Sequence, residues 1–211
     1  MADELIFYTN PRSRGRIVRW MLEEIGQHYR TEVIEYGHMK EPAYLAVNPM
    51  GKVPAIRHGE AIVTETAAIC AYLADAFPQA RLAPPAGDRL RAPYYRWLFF
   101  AAGPVEAAVS NRTLGFAVPP EREGMIGYGS FERVMNTLES AVSEKNYLVG
   151  DSFTAADVYV GSQIGFGMMF GTFEKRPAFE HYWQRIASRP AYARAKDLDD
   201  AKAAELKKAA S

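Results

Sequence analysis

The sequence predicts an α/β N-terminal domain over residues 1–79, a linker over 80–87 and an all-α C-terminal domain over 88–211. Two observations carry the α/β part: short β-rich runs early in the chain, and amphipathic helical spacing between them. A third carries the division. Pro84-Pro85 and Gly87 punctuate the chain, and beyond them no strand pattern recurs.

Leu5 to Thr9 is a short apolar run, read as a buried strand, and Asn10-Pro11-Arg12 breaks it. Ser13 fits a helix N-cap. Ile17, Val18, Met21, Leu22 and Ile25 follow at helical spacing, with Gly26 placed as the C′ residue. Tyr29 to Tyr36 alternates and is β-rich, a second strand. Pro42 to Val47 fits a short helix closed by Asn48-Pro49. Val53 to His58 and Ala61 to Thr64 are apolar runs joined by Gly59-Glu60, which reads as a β-hairpin. Glu65-Thr66 then opens a helix whose stripe is Ile69, Cys70, Leu73 and Phe77. The first βαβ unit gives a parallel pair with a right-handed crossover, and the hairpin adds an antiparallel partner. This is the thioredoxin-like arrangement.

In the second domain Asp88 caps a long helix to about Thr113, and Pro93 either restarts or kinks it. Leu114 to Ser130, with its glycines and Pro119-Pro120, reads as a mobile break. Phe131, Val134, Met135, Leu138 and Val142 mark another amphipathic helix. Thr154 and Asp157 resemble a capping box, and Phe153 and Val158 have the spacing of a hydrophobic staple. Gly161 and Gly165 in the helix that follows imply close packing, since glycine costs about 1 kcal/mol against alanine there. Phe179 to Ser188 is a further helix, stopped before Pro190. Lys196 to Ser211 is charged and Ala-rich, a loosely held C-terminal helix.

Composition narrows the function classes. The 25 basic and 25 acidic residues cancel, so nothing draws the chain to nucleic acid or an anionic membrane. No apolar run is long enough to span a bilayer, and the start of the chain lacks the pattern of a signal peptide. Cys70 is the single cysteine, which excludes an internal disulfide and a cysteine-based zinc site and fits a reducing cytoplasm. His28, His38, His58 and His181 form no metal-ligand spacing. No metal is expected.

The stretch Gly51 to Phe77 carries the chemistry. A proline at the head of an inner strand is tolerated if its bond is cis. A cis Val53-Pro54 bond turns the main chain of Val53 toward a ligand. Thr66, at a helix start, offers unpaired N–H groups and a positive dipole end to an anion. Glu65 offers a carboxylate to a cation. Adjacent anion and cation sites suit a ligand carrying an α-amino acid group. The same residues also fit an ordinary hairpin and capped helix.

With Phe7-Tyr8 before Ser13, Gly51-Lys52-Val53-Pro54, Glu65-Thr66, Gly150 through Asp157 and the ending Ser188-Arg189-Pro190-Ala191-Tyr192, the chain resembles the cytosolic glutathione transferases along nearly its whole length. The resemblance implies a homodimer using glutathione as co-substrate, with Val53 pairing its cysteinyl main chain and Pro54 as the cis-proline. It implies that Glu65 and Thr66 hold the γ-glutamyl end, and it leaves Lys52 as a partner for a glutathione carboxylate or a solvated lysine. It also makes the Thr154/Asp157 pair a folding box.

The thiol-activating residue stays open between Ser13, Arg14 and Tyr8. Register counted from the strand selects Ser13, and counting back from Gly26 selects Arg14. Ser13 is the first choice because it lies near a helix N-terminus, although capping competes for its hydroxyl. Arg12, Arg14 and Arg16 can stabilise a thiolate by charge, against the helix dipole. Tyr8 is the third candidate. Cys70 falls on an apolar stripe, so it packs rather than reacts.

The family implies a second, hydrophobic substrate between the domains. Trp97 and Phe100, from the aromatic run 94–100, are the candidate pocket residues, with core packing as their alternative role. The expected function is conjugation of the glutathione thiolate to small hydrophobic electrophiles. Glutathione-dependent peroxide reduction or isomerisation, and non-catalytic glutathione binding or regulation, are the rivals.

Overall fold

The computed structural model describes residues 3–143 and 145–209. Its first elements are strand β1 (Leu5–Thr9), helix α1 (Gly15–Ile25), β2 (Arg30–Val33), α2 (Pro42–Leu45), β3 (Ala55–His58), β4 (Ala61–Thr64) and α3 (Thr66–Ala76). The four strands lie in the order β2-β1-β3-β4. β1 runs parallel to β2 and antiparallel to β3, and β3 is antiparallel to β4. This is the predicted thioredoxin-like arrangement. The central strand is continuously apolar because both its faces are covered, and Leu5, Ile6 and Phe7 are all buried. On one face Met39, Tyr44 and Val47 cluster with Ala55, and Tyr8, Ile34 and Val53 pack against them. Helix α1 buries its predicted stripe, and Gly26 closes it at φ +66°, its N–H donating to the Leu22 carbonyl at 3.1 Å.

Strand β2 is shorter than the β-rich run Tyr29–Tyr36. It pairs only with β1, and the last rung is Ile34 N–H to the Thr9 carbonyl at 2.8 Å. Where β1 ends, the ladder has no partner left, and Tyr36–His38 turns as a 3-10 segment.

The helices that follow are α4 (Arg91–Phe100), α5 (Glu106–Thr113), α6 (Phe131–Val142), α7 (Ala155–Phe170) and α8 (Pro177–Ala187). Pro93 sits in the first turn of α4, where its missing N–H is not needed, so no kink forms there. The interruption falls at Pro104 instead. It lies in a π-helical turn, Ala101–Val105, between α4 and α5. The stretch 114–130 contains a 3-10 turn, Pro120–Met125, and is tied to α5 by Asn111 Nδ2 donating to the Tyr128 hydroxyl at 2.9 Å.

The capping box at the start of α7 is present. Asp157 is fully buried and accepts four hydrogen bonds: from Leu148 N–H and the Tyr182 hydroxyl on Oδ1, and from Thr154 N–H and hydroxyl on Oδ2. Burial pushes its carboxyl up, and these donors pull it back. The helix glycines are where other elements approach. A Cβ on Gly165 would lie 2.8 Å from the Trp183 ring, and one on Gly161 would overlap the flexible end of Ile186.

The C-terminal helix departs most from expectation. Helix α9 runs Pro190–Ala209, starting before the expected Lys196 because Pro190 serves as its first residue. The last two positions of the expected helix, 210–211, lie outside the described residues. Nor is α9 loosely held. The chain forms two compact units, Ala83–Ala187 and Met1–Leu82 with Ser188–Ser211, so α9 belongs with the sheet rather than with the helices before it. Charge pairing with α1 holds it there, beside the buried Ala191 and Ala195 and the Tyr192 ring on Trp20. Arg19 and Asp199 form an ion pair at 3.2 Å with side chains 6% and 1% exposed. Arg19 also donates to the Tyr29 hydroxyl and Thr31 Oγ1 and lies over the Phe7 ring. Arg189 grips Glu24 with two hydrogen bonds, at 2.7 and 2.8 Å.

Among the described residues no helix is long and apolar enough to cross a membrane, and no group of three or more His, Cys, Asp or Glu is placed to hold a metal ion.

Asp157→Ala strands four buried donors at once and should lower stability by more than about 3 kcal/mol, read as a fall in the urea midpoint. Cys70 is wholly buried and its thiol is pushed up to about 12 by that burial. A thiol reagent at about pH 8 should label it only after denaturation.

Candidate functional site

The strand register gathers the candidate residues. Tyr8 of β1 pairs with Ala55 of β3, antiparallel, so the turn after β1 lies beside Val53-Pro54 before β3. Ala55 also pairs with Thr64, which brings Glu65-Thr66, after β4, to the same end of the sheet. Three loops distant in sequence thus meet at one sheet end.

The Val53-Pro54 peptide is cis, as expected. The loop before it is held from beneath. The Lys52 carbonyl accepts from the Tyr44 hydroxyl at 2.6 Å and from Asn48 Nδ2 at 2.8 Å, while Asn48 Oδ1 accepts from Met50 N–H. Gly51 is required here: it sits at φ +59°, and a Cβ would lie 2.8 Å from the Met39 carbonyl. Burial, reinforced by nearby Tyr8, pushes the Tyr44 hydroxyl up to about 12, so it remains a donor. Val53 buries its side chain against the Tyr44 cluster, and its main-chain groups find no partner among the described residues. The Lys52 side chain is exposed.

Glu65 precedes α3 at φ +66°, ψ 117°, a conformation that costs a side-chain-bearing residue about 1–3 kcal/mol. It is exposed, and no described side chain pairs with its carboxylate. Thr66 is the half-buried first residue of α3, and no acidic side chain occupies that first turn. Apart from the Glu65 carboxylate just before it, the helix therefore presents its positive end without an acidic side chain in its first turn. The site thus offers helix-end N–H groups at Thr66, a carboxylate at Glu65 and, at Val53, main-chain groups unpaired among the described residues.

Ser13 is not an N-cap. Arg14 holds that position, with no side-chain cap, and Ser13 lies one residue earlier. Its Oγ accepts from Gly15 N–H at 2.9 Å and donates to the Asn10 carbonyl at 2.7 Å. Gly15 is buried, and a Cβ there would overlap Thr9 Oγ1. Of the three arginines, Arg16 is occupied, donating to the Pro11 carbonyl and to Asp200, each at 2.6 Å. Arg12 reaches the Ala203 carbonyl at 3.4 Å, and Arg14 is exposed. Tyr8 is half-buried and its ring lies 6.0 Å from that of Tyr44.

In the second unit, Trp97 and Phe100 meet edge to face at 5.7 Å. Trp97 is buried and lines a cavity of about 600 Å³ with Arg96, Ser130, Arg133, Asn136 and Ser140, whereas Phe100 does not line it. That lining is mainly polar and charged, and it lies wholly within the second unit.

Sequence reasoning missed Tyr44, Asn48 and Asn10. Asn48-Pro49 signals a turn, but nothing local reveals that the Asn48 amide and the Tyr44 hydroxyl converge on one carbonyl. The ties from Arg16 to Asp200 and from Arg19 to Asp199 span 184 and 180 positions, beyond the reach of any local pattern.

Comparison with known proteins points to one family. A model of the glutathione S-transferase N-terminal domain matches residues 13–76, and one of the C-terminal domain matches residues 111–190. A glutathione S-transferase of Hyoscyamus muticus is 27% identical over 75% of this chain and 79% of its own length. Elongation factor 1-gamma of Prunus avium is 30% identical over 79% of this chain, but the match spans only 40% of that protein. A sphingomonad glutathione S-transferase solved in complex with glutathione superposes with a TM-score of 0.74 at 26% identity, covering 92% of this chain and 98% of its own. The chain belongs to the cytosolic glutathione transferase family.

Proposed function

We propose that the protein conjugates the glutathione thiolate to small hydrophobic electrophiles, working as a cytoplasmic homodimer. The observation that carries this is the convergence of Val53, Glu65-Thr66 and the Ser13 turn at one sheet end. The sphingomonad relative, solved with glutathione, supports the choice of ligand. The Val53 main chain pairs with the cysteinyl unit, Glu65 takes the γ-glutamyl ammonium, and the N–H groups at Thr66 take the adjacent carboxylate. Lys52 meets a second carboxylate of the tripeptide.

This arrangement leaves the thiol near the start of α1. A free thiol titrates near pH 8.5, so only a few per cent is thiolate at neutral pH. Ser13 donates to the sulfur after its proton leaves the Asn10 carbonyl, and the α1 N-terminus adds its dipole. Arg14 and Tyr8 are the alternative sources of thiolate stabilisation. The thiolate then attacks the electrophilic carbon: a C–S bond forms, and the leaving group departs with its electron pair. Binding, orientation and a lowered thiol pKa supply the rate. Trp97 and Phe100 are the side chains we assign to the electrophile.

One observation favours a second reading, glutathione binding without turnover. The chain is also similar to elongation factor 1-gamma, and fold alone does not fix activity. Ser13→Ala separates the two. Under the enzymatic reading kcat with an aryl halide falls about tenfold to a hundredfold, while glutathione affinity changes less than about twofold. Equal turnover in wild type and variant would remove Ser13 from the role, and no turnover in either would favour the binding reading.

A further inference from the structure

We infer that Asp200 of α9 is a positioning residue for the turn that carries Ser13, acting through Arg16, and so tunes how strongly the site ionises bound glutathione. This rests on the proposed glutathione chemistry.

Arg16 lies in the first turn of α1, where a cation opposes the helix dipole. Its partners account for its presence. Nε donates to the Pro11 carbonyl at 2.6 Å and Nη2 to Asp200 Oδ1 at 2.6 Å, so one guanidinium joins the turn before α1 to the C-terminal helix. Asn10 holds the same turn from the other side. Its carbonyl accepts from both the N–H and the hydroxyl of Ser13, at 3.0 and 2.7 Å, and its Oδ1 accepts from Arg12 N–H. Lys196 Nζ, 2.9 Å from Asp200 Oδ2, fixes the other oxygen of the carboxylate. Lys196 first, and then Arg16, hold the Asp200 carboxyl below its ordinary range.

The Arg16–Asp200 pair adds little to stability, because its side chains are 28% and 45% exposed. Helix α9 is anchored instead by the buried Arg19–Asp199 pair and by Arg189 on Glu24. Asp200 therefore acts on the placement of the Ser13 turn with the fold unchanged.

The test uses the full-length protein with Asp200→Ala and Asp200→Glu. The expected results for Asp200→Ala are a fall of about tenfold in kcat for aryl halide conjugation, a KM for glutathione within about twofold of wild type, and a rise in the pKa of the bound thiol. The Ser13 amide should exchange with solvent faster, Tm should be unchanged, and Asp200→Glu should recover most of the rate. Unchanged kcat, thiol pKa and Ser13 exchange in Asp200→Ala would overturn the inference. So would a loss of activity that only tracks a lowered Tm. If wild type itself binds glutathione without shifting its thiol, the enzymatic reading fails, and Ser13 exchange alone then decides whether Asp200 positions the turn.

Discussion

The site depends on β3 pairing with two strands at once. Its antiparallel register with β1 and with β4 places the Ser13 turn, the Val53-Pro54 loop and the start of α3 at a single sheet end. A slip of one residue would turn every side chain of β3 to the opposite face and separate the loops. Ala55 and Ile56 are completely buried on opposite faces, so both sides of β3 are covered, and its pairing with β1 and β4 holds the register. In the proposed function, recognition of the tripeptide is therefore built on main-chain geometry, with few side chains dedicated to it.

Two features of that end bear on the proposed function. Glu65 occupies a left-handed backbone conformation and caps nothing. An Asp or Ser in ordinary geometry would give α3 a better start. Ser13 and Asn10 close a turn so completely that the Ser13 proton already has an acceptor. In our reading the enzyme's own turn competes with the sulfur for that proton. The balance between the two acceptors then sets the thiol pKa, and residues that hold the turn matter as much as the hydroxyl.

Much of the first unit was legible in the sequence, because its signals are local. Helical spacing from Ile17 to Ile25, the Gly59 hairpin and the Val53-Pro54 pair each depend on residues a few positions apart, as does the Thr154/Asp157 box in the second unit. What could not be read was long-range. Arg19 looks like a surface arginine and is buried by Asp199 from the far end of the chain. The apolar residues of helix α9 are mostly alanines, so its docking, through Ala191, Ala195, the Tyr192 ring on Trp20 and ion pairs, leaves no strong apolar stripe in the sequence. Pro93 and Pro104 look alike in sequence, and only the true start of α4 shows which one breaks the helix. The activating residue was ambiguous for a related reason. The turn from Asn10 to Arg14 is irregular, and counting from either side reaches a different residue.

The central claim is that this sheet end binds glutathione and makes its thiol a thiolate. Ultraviolet titration of thiolate absorbance, with glutathione bound to the wild-type protein, tests it most directly. The account predicts a thiol pKa at least about one unit below the free value near 8.5. Saturated binding with the pKa unmoved would contradict it.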